Sequence, residues 1–199
     1  MELLCLLSKE SISNRRYNDT KQRSVTMTDI SIKLLNQSDE AELFKFELEN
    51  RAFFESMVLS RGDSYYDFNN FKTIMKEIIE EQEKGLIYMY LIMDDCGKIV
   101  GRINLVSIVR GCFNKAELGY RIAEKHQRKG YATSAVKFIL AEAASKHKLH
   151  RIEAGTSHNN IGSQIVLIKN GFQFAGRYNK YIYQNGQWYD SINFEKILD

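Results

Sequence analysis

The sequence predicts a single mixed α/β domain: a central twisted sheet, mostly antiparallel with one parallel pair, and helices packed on its faces. Three observations carry this expectation. Residues 115–157 read as strand, long amphipathic helix, strand, and strands joined through a crossover helix lie parallel. Several other strand-like runs follow one another directly, which argues for a mixed rather than a purely parallel sheet. No internal repeat or composition break divides the 199 residues, a length that buries one sizeable core.

Residues 1–29 read as an N-terminal extension. After the apolar run "LLCLL" they become polar and charged ("SKESISNRRYNDTKQRS") and offer little to a core. The domain is expected over 30–199. It opens on the alternating stretch 31–35, a strand. Asn36 to Ser38 form a turn, and Ser38 or Asp39 can cap a helix reaching about Arg51, with Phe44, Leu48 and Ala52 at helical spacing. Residues 60–70 form a loop. A second helix runs over about 69–84, its stripe being Phe71, Ile74, Met75, Ile78 and Ile79, and Gly85 stops it.

The runs 86–94 and 98–109, joined by the turn "DCG", make a hairpin. Residues 115–122 are a strand, 130–147 a helix with Ala132, Ala135, Val136, Ile139, Leu140 and Ala143 on its buried stripe, and 150–157 the strand that follows. A short helix over 160–171 ends at Gly171. Residues 172–178 begin a last hairpin, where Asn185-Gly186 suits a type I′ turn. There is no proline, so turns rest on Gly, Asn and Asp.

Composition narrows the function classes. Apolar residues make up 44% and charged residues 27%, ordinary values for a soluble globular protein. A net charge of +3 is too small to point to nucleic acid. Cys5, Cys96 and Cys112 show no metal-ligand spacing, so no metal is expected, and reduced thiols fit a cytoplasmic protein. "LLCLL" is too short to span a membrane and lacks the basic flank of a signal peptide, so no membrane partner is expected.

The charge is unevenly spread. From Arg121 to Arg151 there are eight Lys or Arg against two acids, and this excess surrounds the loop "QRKGYA" at 127–132. Arg128 and Lys129 stand just before a helix start, where cations are unfavourable unless an anion joins them. A Gly-Lys-Ser/Thr phosphate loop and a three-glycine dinucleotide fingerprint are both absent. What remains is a strand, a loop with one glycine, and a helix opening on small residues. Its free N–H groups at Arg128, Lys129, Gly130, Tyr131 and Ala132 can hold a pyrophosphate, with Arg128 and Lys129 flanking it. A plain strand–turn–helix with a basic cap reads equally well from this stretch alone.

The run Gln127-x-x-Gly130-x-Ala132 resembles the acyl-CoA signature Q/R-x-x-G-x-G/A of the GNAT family of N-acetyltransferases, and the element order is similar to that fold. Three further stretches resemble its Rim-type, RimJ-like branch of ribosomal-protein N-terminal acetyltransferases. These are "AELGYRI", the strand–helix run with Asn160, Ser163, Lys169, Gly171 and Phe172, and the hairpin "GQWYDS". The resemblance covers roughly residues 31–197.

It implies acetyl transfer from acetyl-CoA to a primary amine by direct attack in a ternary complex, most naturally on a protein N-terminus. The sheet would splay at its parallel pair around the coenzyme. Gln127 to Ala132 would hold the diphosphate, and the main chain of Tyr120, Arg121 and Ile122 the pantetheine, added like a short strand. A backbone N–H there can also stabilise the developing oxyanion, an effect of about 3 kcal/mol per donor.

The resemblance also suggests roles for single side chains. Asn160 can bond the pantetheine, although capping the helix would explain it too. Many GNAT enzymes place an acidic Tyr four residues after Ser163, but Leu167 stands there. In Rim-type relatives the serine is the substitute, so Ser163 is the candidate acid, against the plain alternative of bonding back to a carbonyl. Glu117 is the candidate base, on the strand that faces the thioester; an ion pair with Arg102 or Lys115 is its structural alternative. Asp63, Tyr65 and Tyr66 are candidates for gripping the acceptor.

Two other functions fit the same residues. One is a small-molecule amine acetyltransferase acting on a polyamine, an aminoglycoside or an amino-acid-like toxin, which an enclosed cleft would favour. The other is a non-catalytic CoA-binding module, suggested by the missing tyrosine. Direct nucleic-acid binding is not expected of the domain, and the sequence is compatible with a monomer or a homodimer.

Overall fold

The computed structural model describes residues 30–57, 60–184 and 186–198. The extension 1–29 and Asn185 of the last turn lie outside the described residues. Seven strands form one sheet, β1 Ile30–Leu34, β2 Tyr88–Asp94, β3 Ile99–Val109, β4 Lys115–Ile122, β5 Arg151–Ser157, β6 Gln173–Gln184 and β7 Gln187–Ile197. Their order is β1-β2-β3-β4-β5-β7-β6. Every neighbouring pair is antiparallel except β4 and β5, which the crossover helix makes parallel.

Five α-helices accompany the sheet: α1 Glu40–Glu49, α2 Arg51–Met57, α3 Phe68–Glu83, α4 Tyr131–Ser145 and α5 Ile161–Lys169. The expected helix from Ser38 or Asp39 to Arg51 differs in two ways. Asn36 is the cap of a 3-10 turn at Gln37–Asp39, accepting from the Ser38 N–H while the Asp39 carboxylate takes the Asn36 N–H. The helix then breaks at Asn50, whose side-chain amide donates to the Phe46 carbonyl at 2.9 Å, competing with the helical ladder. Chain continues as α2, and a 3-10 turn at Asp63–Tyr66 occupies the expected loop.

Strand alternation sorts the core into two layers. Tyr90, Ile92, Ile103, Leu118 and Ile122 pack against Ala135, Val136 and Ile139 of α4. Met89 and Leu91 point the other way, to Leu43 and Phe46 of α1, Phe54 of α2 and Phe71 and Met75 of α3. Helices therefore cover both faces. Gln82 of α3 ties that layer on: its amide donates to the Leu35 carbonyl at 3.0 Å and accepts from the Met89 N–H at 2.8 Å.

The parallel pair is short. Only Lys115, Ala116 and Glu117 pair with β5, opposite Arg151, Ile152 and Glu153. Charges stitch that end, Glu153 receiving Lys115 Nζ and Arg151 Nε at 2.8 Å each. From Leu118 to Ile122, β4 keeps β3 on one side and has no strand on the other. The sheet is split there, as the family resemblance implies.

Candidate functional site

The split opens into a cavity of about 360 Å³. Its walls come from five places: Phe53, Phe54 and Met57 of α2, Tyr120–Ile122 at the end of β4, the loop after it, the first turn of α4, and Asn160, Ser163 and Val166 of α5. The cavity thus reaches through the sheet, with α4 and α5 at one mouth and α2 at the other.

The loop has the backbone an anion site needs. Arg128 and Gly130 both have positive φ, 61° and 81°, and Gly130 is the N-cap of α4 without any side-chain cap. Glycine adopts that conformation without the Cβ clash other residues suffer. The first intrahelical bond is Ser134 N–H to the Gly130 carbonyl. The N–H groups of Tyr131, Ala132 and Thr133 therefore have no acceptor within the helix. The first turn carries no carboxylate. Gln127 turns inward, its amide donating to the Ile122 carbonyl at 2.7 Å, which folds the loop back onto the end of β4. Arg128 stands on the cavity rim, while Lys129 is exposed beside it, its Nζ 3.5 Å from His126 Nδ1. Burial, then Lys129 and Lys125, hold the His126 pKa below its ordinary value.

On the opposite wall Asn160 caps α5, its Oδ1 accepting from the Ser163 N–H at 3.1 Å. Ser163 Oγ lies 2.9 Å from the Tyr120 hydroxyl. Burial pushes the Tyr120 phenol up to about 12, against the opposing effect of its bond to Ser163. Leu167 is buried in the core beneath α4, outside the cavity wall.

Of the sequence-derived candidates, Tyr120, Arg121, Ile122, Gln127, Arg128, Gly130, Tyr131, Ala132, Asn160 and Ser163 meet around this one cavity. Glu117 lies at the last rung of the parallel pair, exposed and off the cavity wall. Its suggested partners are occupied, Arg102 by Glu47 and Lys115 by Glu153, and among the described residues no ion pair holds it.

Asp63, Tyr65 and Tyr66 lie beyond the α2 wall. Tyr65 is buried, its hydroxyl 3.3 Å from Arg102 Nη1. Asp63 is exposed and pairs with Arg51, whose guanidinium lies 4.2 Å above the Tyr66 ring. Sequence reasoning missed the Tyr120 side chain and the aromatic wall of α2. Strand alternation could have flagged the first, since Tyr120 shares a face with Leu118 and Ile122.

The Acetyltransferase (GNAT) domain family matches residues 30–173. The chain belongs to the GNAT family of acetyltransferases. A probable N-acetyltransferase of Bacillus subtilis, YjcK, is 36% identical over 164 residues, covering 81% of this chain and 90% of the relative. The solved ribosomal-protein-S5-alanine acetyltransferase of Vibrio fischeri superposes with a TM-score of 0.81 at 27% identity, over 85% of this chain and 93% of that one. RimJ of Mycobacterium smegmatis, solved in complex with CoA-disulfide, superposes at 0.78 over 84% of this chain and 81% of that one; at 23% identity this likeness is one of fold. This GNAT chain is accordingly an N-acetyltransferase with acetyl-CoA as co-substrate. Among the described residues no helix is long and apolar enough to cross a membrane.

Proposed function

We propose that this GNAT enzyme acetylates the N-terminal amine of a protein, with ribosomal proteins the first substrates to test. The observation that carries acetyl transfer is the conjunction at the cavity: an uncapped, carboxylate-free head of α4 beside the unpaired edge of β4. The acceptor class is supported by the names of the relatives. The residues present fit acetyl-CoA. The free N–H groups of Tyr131, Ala132 and Thr133, with Arg128 and Lys129, suit a diphosphate. The unpaired β4 edge at Leu118–Ile122 suits an extended pantetheine, and Asn160 faces the same space.

The chemistry then divides among the chain's own groups. The β4 edge supplies an N–H to the thioester oxygen as charge develops there. The amine arrives from the α2 mouth and its nitrogen forms the bond to the acetyl carbon as the carbon–sulfur bond breaks. Ser163 Oγ gives its proton to the leaving thiolate while the Tyr120 phenol donates to Oγ. Glu117, acting through water because it lies off the cavity, takes the proton lost by the ammonium. Glu117 passes that proton to solvent, and the second proton, lost from the nitrogen as the amide forms, returns through water to the hydroxyl pair, so the cycle closes with one proton released. Incubating the purified chain with acetyl-CoA and N-terminal peptides of ribosomal proteins should add one acetyl mass at the first residue. Peptides that stay unmodified while other amines are acetylated would refute this acceptor.

A further inference from the structure

A second charged cluster stands behind the α2 mouth of the cavity. Glu47 of α1 is fully buried and receives Arg102 Nη1 at 2.8 Å and Arg121 Nη1 at 3.2 Å, one on each carboxylate oxygen. Arg102 also meets the Tyr65 hydroxyl, and its Nε finds no acceptor among the described residues. Arg61, half-buried, lies with its guanidinium 4.5 Å above the Tyr65 ring. Arg121 in turn lies 4.9 Å above the ring of Phe54, and both of these residues form part of the cavity wall.

Arg102 and Arg121 therefore share one carboxylate, and Arg61 adds a third guanidinium on the Tyr65 ring with no ion pair of its own among the described residues. The nearby acids do not redress this. Glu55 and Asp63 both hold Arg51, and Glu117, on the same face of β4 as Arg121, pairs with none of the three. Burial, then repulsion from Arg102, depresses the pKa of Arg61 and brings that of Arg121 down to about 10. A pair such as Arg102–Glu47 is balanced by itself. Adding two more partly desolvated cations is unfavourable unless an anion completes the set.

We propose that the acceptor carries a carboxylate close to its reacting amine, and that Arg121 and Arg61 recognise it. The proposal deepens the acetyl-transfer reading and rests on it. Arg121 stands on the cavity wall beside Phe54 of α2, with Arg61 off that wall, and the head of α4 lies across the cavity, so the donor's diphosphate and the acceptor's carboxylate have separate cationic sites. A planar guanidinium on an aromatic face is well suited to bidentate carboxylate recognition. The same field opposes a polycation, which would bring further positive charge to a site already in excess. The carboxylate has two chemical sources, an acidic side chain early in a peptide or the free carboxylate of a small amino acid.

The test uses matched acceptors with the full chain and acetyl-CoA, read by thiol release. One set is a peptide with Glu at its second and third residues against the same peptide with Gln. Another is an amino acid against its amide, and spermidine serves as the cationic acceptor. The carboxylate member should be preferred by about tenfold or more in kcat/KM in one of the two sets, and that set identifies the source. Arg61→Gln should reduce the preference to within about twofold, Arg61→Lys should keep only part of it, because an ammonium supplies charge without the stacked bidentate fork, and both should bind acetyl-CoA as the native chain does. Equal use of both members in both sets, faster turnover of spermidine, or a preference that survives in Arg61→Gln overturns the proposal alone. No thiol release with any amine overturns the acetyl-transfer reading and the proposal with it.

Discussion

Tyr120 shows how one side chain can serve core and site together. Strand alternation turns it to the α4 face with Leu118 and Ile122, and its hydroxyl then reaches Ser163 Oγ in α5, 43 residues away. A phenol held at about 12 stays protonated at neutral pH, so it can donate to Oγ and leave the serine's own proton for the thiolate. Tyr120→Phe and Ser163→Ala should each lower kcat roughly tenfold to a hundredfold with little change in acetyl-CoA affinity. If the hydroxyls act as a pair, the double variant loses at most about threefold more than the worse single variant. Steady-state kinetics of the four proteins checks this, and multiplicative losses would show two independent roles. The absence of the family tyrosine at Leu167 was legible in the sequence. The hydroxyl from another element was not, because no spacing along the chain links residues 120 and 163. Tyr65 failed in the opposite direction: its type suits acceptor contact, but only the fold shows it buried against Arg102.

At the scale of elements, what was legible is what local pattern determines. The strand–helix–strand run at 115–157 identified the parallel pair, and the glycine loop located the head of α4. The break between α1 and α2 was not legible, since an Asn within a helical pattern gives no warning that its side chain will bond back to the Phe46 carbonyl. The head of α4 can be tested through its backbone. Alanine at Gly130 must adopt φ near 81°, which costs about 1–2 kcal/mol, and relief of that strain would rotate the N–H groups out of line. Gly130→Ala should weaken acetyl-CoA binding at least fivefold by calorimetric titration. Gly171 is the matched control, with φ 80° at the far end of α5. Gly171→Ala should lower Tm comparably and leave acetyl-CoA affinity intact. Equal weakening by both variants would mean that general destabilisation, not the loop, explains the loss.

Over the whole molecule, long-range polar contacts hold the two layers to the sheet, and these were the least legible features. Glu47 and Arg102 are 55 residues apart, and Tyr90 and His147 are 57. His147, just past α4, is buried with its ring stacked 3.5 Å from Tyr88 and Nε2 2.7 Å from the Tyr90 hydroxyl, which also reaches Glu142 at 3.3 Å. Burial, then Lys146, brings the His147 pKa down to about 4, with Arg110 adding to the effect and Glu142 opposing it. The folded protein therefore holds this imidazole neutral where the unfolded chain would protonate it. Between pH 6.5 and 4 the unfolded state binds more protons, so stability falls as pH falls through that window, by no more than about 3 kcal/mol from this group. His126 shifts in the same direction but is only half-buried, and Glu153, with its pKa lowered, loses its contribution only further into acid. The measurement that isolates His147 is denaturant unfolding of wild type and His147→Gln at pH 7 and pH 5. The variant should be less stable at pH 7, because it gives up the stacking on Tyr88, yet lose distinctly less than wild type between the two values. Parallel losses would place the acid sensitivity elsewhere in the molecule.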